Sequence, residues 1–251
     1  MHFGDGRSAA DFSERLKLYE AARARSVWRP DVDIDWDMES SLSDDRQALA
    51  YDLACTGTYT EELGMLTCSR LVTELDDLAG RYALALQMTD EAKHSEVFTR
   101  YAHRAYSEPP PPPDGVQQIR RDLESIENPT ALFLVHTLLE GFAFDQFSYM
   151  RPAFAGDPLY DIYKYVIADE ARHVAMGVDF LRFALAQDLS DEVIDTLSWC
   201  QANIFAIGFV DDKLMGWLSE ISGKPSSDIS RTFETRHQAR IERIWKKGET
   251  T

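Results

Sequence analysis

The chain of 251 residues is 44% hydrophobic with a formal net charge of −17, so it can bury a core but presents no cationic balance suited to nucleic acid or to an anionic membrane surface. Its longest apolar run, about Ile204 to Val210, is too short to span a bilayer, and the polar stretch Met1 to Lys17 lacks the apolar core of a signal peptide. Cys55, Cys68 and Cys200 have no metal-binding spacing and an odd count, which fits reduced thiols in a cytoplasmic protein.

Residues 1 to 40 show little periodicity and read as an N-terminal arm, in which Val27 to Trp36 is an extended segment whose two tryptophans pack on a bundle. A long helical pattern runs from Ser43 to about Leu75, and a second from about Gly80 to Tyr106. Pro109 to Pro113 must be extended, since proline lacks the amide proton and clashes with a preceding turn, and it begins a long crossover. A short amphipathic helix follows at Val116 to Ile126. Asn128-Pro129-Thr130 opens the third core helix, which ends near Pro152 to Gly156, and the fourth runs from about Leu159 to Gln187. Leu189-Ser190-Asp191 caps a fifth helix reaching Ser222, and Ser226 to Lys247 is a basic, polar helix. No strand pattern occurs. The expectation is one all-α domain over 1–251, with a core bundle over 43–187, a fifth helix over 191–222 and a C-terminal helix over 226–247. The apolar side chains of the fifth helix (Trp199, Ile204, Phe205, Phe209, Leu214, Trp217) suggest a homodimer interface, with burial inside the monomer as the alternative.

Two copies of one motif dominate the chain. Asp90-Glu91-Ala92-Lys93-His94 and Asp169-Glu170-Ala171-Arg172-His173 share four residues of five. Each holds Glu-x-x-His, which on a helix puts a carboxylate and an imidazole on one face, one turn apart. Each has a lone glutamate about 30 residues upstream, Glu62 for the first and Glu140 for the second. If each pair sits level on antiparallel helices, turns must fall midway. Glu74 to Gly80 and Ala155-Gly156-Asp157-Pro158 lie there, with turn chemistry. Four carboxylates and two imidazoles so arranged are the ligand set of a two-metal site inside a four-helix bundle. A third match, Glu234 to His237, has polar, basic surroundings and Ile204 at the upstream position, so it reads as accidental.

The candidate metal ligands are Glu62, Glu91, His94, Glu140, Glu170 and His173, and each lies among apolar neighbours where an unsatisfied charge would be costly. Glu61 rivals Glu62: the helix face around 62 carries Cys55, Thr58, Tyr59, Met65 and Leu66, the face around 61 Ala54, Gly57, Thr58, Gly64, Met65 and Cys68, and the former is preferred. Asp90 and Asp169 could each accept the second ring N–H of the opposite motif's histidine, as metal-bound histidines usually require. His136, one turn before Glu140, could support that ligand, bind metal itself or be a core histidine. Phe133, Phe142, Phe144, Phe147 and Tyr59 could wall a substrate pocket.

The stretch Gln87 to Phe98 resembles the first metal motif of the ligand-binding oxidases related to the small subunit of ribonucleotide reductase, within the ferritin-like superfamily. Leu138-Leu139-Glu140-Gly141 and Asp169 to Gly177 resemble their later motifs, and Trp28 to Trp36 the stretch before their first helix. The resemblance, over roughly residues 27 to 185, implies a ferritin-like bundle with a long crossover. There are departures. Phe98 stands where the reductase subunits usually carry a radical tyrosine. Val135 and Gly64 stand where the ligand-binding oxidases form a Tyr–Val crosslink. Val166 stands where related arylamine N-oxygenases carry an extra histidine.

Carboxylate-rich, imidazole-poor sites suit iron and manganese better than zinc or copper. The expected function is an O2-activating oxidase or oxygenase with two metal ions, Fe/Fe or Mn/Fe. It would act on a small organic substrate with an apolar portion, with an electron donor protein as a possible partner. The alternatives are a ferroxidase or metal-storage protein and an arylamine N-oxygenase-like enzyme.

Overall fold

A computed structural model describes residues 9–108, 110–185, 190–202 and 212–245, and among these every regular element is helical. Helices α2 (Asp44–Glu74) and α3 (Leu78–Ala102) form one hairpin, and α5 (Pro129–Met150) and α6 (Pro158–Leu185) the other. The hairpins pack through α2 on α5 and α3 on α6. The turns follow from local chemistry. Asp77 accepts from the Gly80 amide at 2.9 Å and starts α3. Asn128 accepts from the amides of Thr130 and Ala131, with Pro129 at the first helical position of α5. Between α5 and α6, after a 3-10 turn over Arg151–Phe154, Gly156 adopts φ +87°, a left-handed conformation that side chains disfavour.

The crossover is as expected at Pro110 to Pro113, which lie outside any helix; Pro109 lies outside the described residues. It leads into α4 (Asp114–Ser125), which buries Val116 and Leu123. Arg70 of α2 donates to the carbonyls of Leu123 and Ile126 at 3.1 and 2.6 Å, satisfying the end of α4.

The arm departs from expectation. Residues Ala9–Arg23 form a helix, α1, packed on α3 and α6, with Arg15 paired to Asp77 and lying 3.8 Å from the Phe183 ring centroid. This segment has no apolar stripe, so periodicity could not reveal it. The region of the expected fifth helix contains α7 (Asp191–Ala202) and α8 (Asp212–Ser222), while Ile204, Phe205 and Phe209 lie outside the described residues. The C-terminal helix α9 (Ser226–Trp245) packs on α5 and α6, burying Ile229, Phe233, Ile241 and Ile244. Buried Asp145 of α5 pairs with Arg236 at 2.7 Å and Arg240 at 2.6 Å, and a Cβ at Gly141 would lie 2.6 Å from Arg240 Cδ, so glycine there makes room for the arginine.

The apolar core falls into two clusters. One is built around Leu71, Leu84, Leu134, Leu138 and Leu181, the other around Phe98, Tyr101, Phe147, Phe154 and Tyr163. Buried Glu61, Glu91, His94, Glu140, Glu170 and His173 come from the four central helices.

Candidate metal centre

Each hairpin contributes one carboxylate from its first helix and a Glu-x-x-His pair from its second. Two overlapping groups result, Glu61, Glu91, His94 and Glu170 and then Glu91, Glu140, Glu170 and His173, with one possible donor atom per residue and all of these within 4.8 Å of one another in each group. Glu91 and Glu170 belong to both.

The structure puts Glu61, and not the expected Glu62, in the cluster. Glu62 is exposed and takes no part, while Glu61 is 4% exposed with Oε2 3.1 Å from His94 Nδ1. The buried stripe of α2 runs through Ala50, Ala54, Gly57, Glu61, Cys68 and Leu71. Those small side chains let the helix approach its neighbours: a Cβ at Gly64 would sit 3.0 Å from Glu91 Oε2. The bulkier face around Glu62 carries the stronger apolar signal yet faces outward in part, with Leu66 42% exposed. A signal for Glu61 was present. The two motifs are offset by 79 residues, and the same offset back from Glu140 lands on Glu61.

Both histidines turn Nδ1 to the cluster. His173 Nδ1 is 2.9 Å from Glu140 Oε2 and 3.2 Å from Glu91 Oε1, and His94 Nδ1 is 3.3 Å from Glu170 Oε1. Their Nε2 atoms cross over: His94 Nε2 is 3.1 Å from Asp169, and His173 Nε2 is 3.3 Å from Asp90. The aspartates are held in turn. Arg172 lies 2.6 Å from Asp90 and 2.7 Å from Asp169, Lys93 lies 2.7 Å from Asp90, and Ser26 donates to Asp90. Trp28 of the arm, expected only to pack, donates from Nε1 to Asp169 at 2.7 Å and stacks on Tyr165 at 5.3 Å. His136 Nδ1 lies 3.4 Å from Glu140 Oε1, and its Nε2 is 2.9 Å from Gln87 Nε2 and 3.3 Å from Cys68 Sγ. Gln87 also reaches Glu91 at 3.3 Å. His136 therefore supports a carboxylate from behind and belongs to neither four-residue group.

Titration reflects the crowding. Burial, opposed by His94, pushes Glu61 up to about 8, and burial together with the Glu140 charge holds Glu170 well above the ordinary carboxylate range. For Glu91, burial is outweighed by hydrogen bonds from His173 and His94, and its ionisation falls well below that range. Both histidines titrate well above the usual value, because the surrounding carboxylates outweigh burial. Glu170 Oε2 is buried without a hydrogen-bond partner. A carboxylate oxygen in that position, facing imidazole nitrogens and more carboxylates, fits a cation.

A cavity of about 360 Å³ opens from the cluster between α2, α5, α4 and α8. Leu63, Val116, Ile119, Leu139, Phe142 and Phe147 give it an apolar wall, and Glu61, Glu91, Glu140 and Glu170 border it. Of the aromatics expected to wall a pocket, Phe142 and Phe147 do. Phe133 packs in the core, Phe144 does not reach the cavity, and Tyr59 donates to the Pro110 carbonyl at 2.9 Å. Leu214 and Trp217 of α8, expected at a dimer interface, also line the cavity.

Comparison with solved structures finds the same fold elsewhere. A valine-to-isoleucine variant of an R2-like ligand-binding oxidase with aerobically reconstituted Mn/Fe cofactor superposes with TM-score 0.69 at 17% identity, covering 96% of this chain and 99% of that one. A glycine-to-leucine variant with aerobically reconstituted Fe/Fe cofactor superposes with TM-score 0.66 at 18% identity, covering 97% and 99%. The chain has the ferritin-like fold of the R2-like ligand-binding oxidases. No protein-family model matches it, and no curated protein sequence does either.

Proposed function

We propose that this chain is an O2-activating oxidase or oxygenase working with two metal ions, Fe/Fe or Mn/Fe, on a small organic substrate with an apolar portion. The observation that carries the reading is a buried pair of overlapping four-residue ligand groups opening directly on an apolar cavity. Glu61, Glu91, His94 and Glu170 would hold one ion, and Glu91, Glu140, Glu170 and His173 the other. When bound, such an ion pair supplies the electrons that activate O2.

The chain's own residues do the rest. With ions bound, Asp169 and Asp90 would keep the ring proton of each histidine on Nε2 and leave Nδ1 to face the cluster as the free base. Glu140 borders the cavity and has His136 beside it, so it is the carboxylate best placed to move as substrate enters. Leu139, Phe142 and Phe147 keep bulk water from the reacting atoms. On the opposite side, the hydrogen-bonded line Trp28, Asp169, His94 offers a route by which an electron donor protein would reduce the centre. A homodimer belongs to the same reading, supported by Trp199 and Ile194 of α7, which are 44% and 41% exposed; a monomeric mass by light scattering would remove it.

Stopped-flow mixing of anaerobic ferrous protein with O2 tests the reaction. Rapid O2 consumption with a transient whose decay is hastened by added organic compounds is expected, with oxidation of a C–H or N–H bond. Uptake of many irons per chain into a mineral core, with no compound-sensitive transient, would replace this reading with metal storage.

A further inference from the structure

The cavity's polar lining is almost entirely committed. Thr56, Thr60 and Thr67 donate to their own helix at the carbonyls of Asp52, Gly57 and Leu63, at 3.1, 3.0 and 2.8 Å. The bordering Glu61, Glu91, Glu140 and Glu170 each lie within 3.3 Å of His94 or His173. No lysine or arginine lines the space among the described residues. Tyr163 is the exception. It is 1% exposed, it lines the cavity, and its hydroxyl makes no hydrogen bond among the described residues. Its ring is clamped by Phe147 at 5.1 Å, Phe154 at 5.8 Å and Phe98 at 5.9 Å, so the hydroxyl cannot swing to another partner without breaking that stack. A hydroxyl at the wall of a largely apolar cavity, with no acceptor among the described residues, takes its acceptor from whatever fills the cavity.

We propose that Tyr163 is the substrate-contacting hydrogen-bond donor of the cavity, and that the substrate carries an uncharged oxygen acceptor, a carbonyl, hydroxyl or ether, on its apolar body. The inference rests on the reading of this cavity as the substrate chamber. The acceptor is uncharged because an anion there would meet no lysine or arginine among the residues that line the cavity. Tyr163 precedes Glu170 by two turns of α6, about 10 Å along the helix axis, and an oxygen held by its hydroxyl fixes how the rest of the substrate lies in the cavity. Tyr163 thereby sets which carbon or nitrogen of the substrate is oxidised.

Benzylacetone and butylbenzene, which share a skeleton and differ in the carbonyl, are the probes. They are titrated into anaerobic metal-loaded protein and followed by tryptophan fluorescence, since Trp217 lines the same space. In Tyr163→Phe, which keeps the ring stack, benzylacetone is expected to bind about 5- to 10-fold more weakly while butylbenzene changes by less than about twofold, the scale of one neutral hydrogen bond. An equal loss for both compounds, or no loss for the ketone, overturns the role of Tyr163 and leaves the chamber standing. Failure of both compounds to bind the wild-type protein overturns the chamber and this proposal together. Unchanged thermal melting of the variant keeps a folding defect from imitating the expected result.

Discussion

A shift of one residue on α2 separates a surface glutamate from a buried member of the candidate metal centre. Glu61 stands 3.1 Å from His94, whereas Glu62 next to it faces solvent. Elemental analysis after anaerobic ferrous loading should therefore show Glu61→Ala losing about one ion per chain, since each site depends on all its donors, with Glu62→Ala matching wild type. The aspartates behind the histidines matter through orientation. Asp169→Ala leaves His94 Nε2 without its acceptor and frees Trp28, so metal affinity by competition titration is expected to fall about 10- to 100-fold. Conservative replacement of Trp28 by Phe should leave metal content unchanged and slow re-reduction of the oxidised centre by an external donor, measured by stopped-flow absorbance.

The C-terminal helix shows what an element can conceal. Its sequence is polar and basic, yet α9 is fastened to α5 through Asp145, Arg236 and Arg240 in a mostly buried setting. Removing one member of a buried ion pair leaves a charge uncompensated, at roughly 3–5 kcal/mol. Asp145→Ala is expected to lower the melting temperature by about 10 °C in calorimetry, at roughly 2–4 °C per kcal/mol for a chain of this size. His237 adds a pH dependence. It is buried beside the Phe142 ring with Nε2 3.2 Å from the Cys200 carbonyl; burial first, then the Arg240 charge, hold its ionisation below the usual value, against the hydrogen bond to that carbonyl and the Asp145 charge. The folded chain therefore resists a proton that the unfolded chain accepts. The stability owed to neutral His237 is present above about pH 6.5 and is lost as pH falls toward the folded value. Melting temperatures of wild type and His237→Gln should diverge above that pH and converge below it.

At the scale of the whole molecule, the polar cluster is a stability problem that bound metal would solve. Four glutamates and two histidines are buried together, and without a cation Glu61 and Glu170 keep protons they would lose in water. Cations that bind only the folded chain stabilise it by about 3–4 kcal/mol at 100 to 1,000 times the dissociation constant. Chelation is thus expected to lower the melting temperature by about 5–15 °C, and added ferrous or manganous ion under anaerobic conditions should restore it.

The sequence by itself determined the all-α class, the two hairpins with their turns near residues 76 and 156, the crossover and five of the six candidate ligands. All of these depend on short-range rules: helical spacing, turn residues, the ring of proline and a motif written twice. Tertiary structure decided what those rules cannot reach. Which of two adjacent glutamates faces inward depends on how closely α2 approaches α3, and Gly57, Gly64 and Ala54 permit an approach that a hydrophobicity pattern does not register. The helix at Ala9–Arg23 has no stripe of its own and exists through its seat on α3 and α6. Trp28 reaches Asp169 across 141 residues of chain, and Tyr163 meets the cavity through packing contributed by three other segments. Periodicity reports the faces of single helices, and these contacts are properties of how the faces meet.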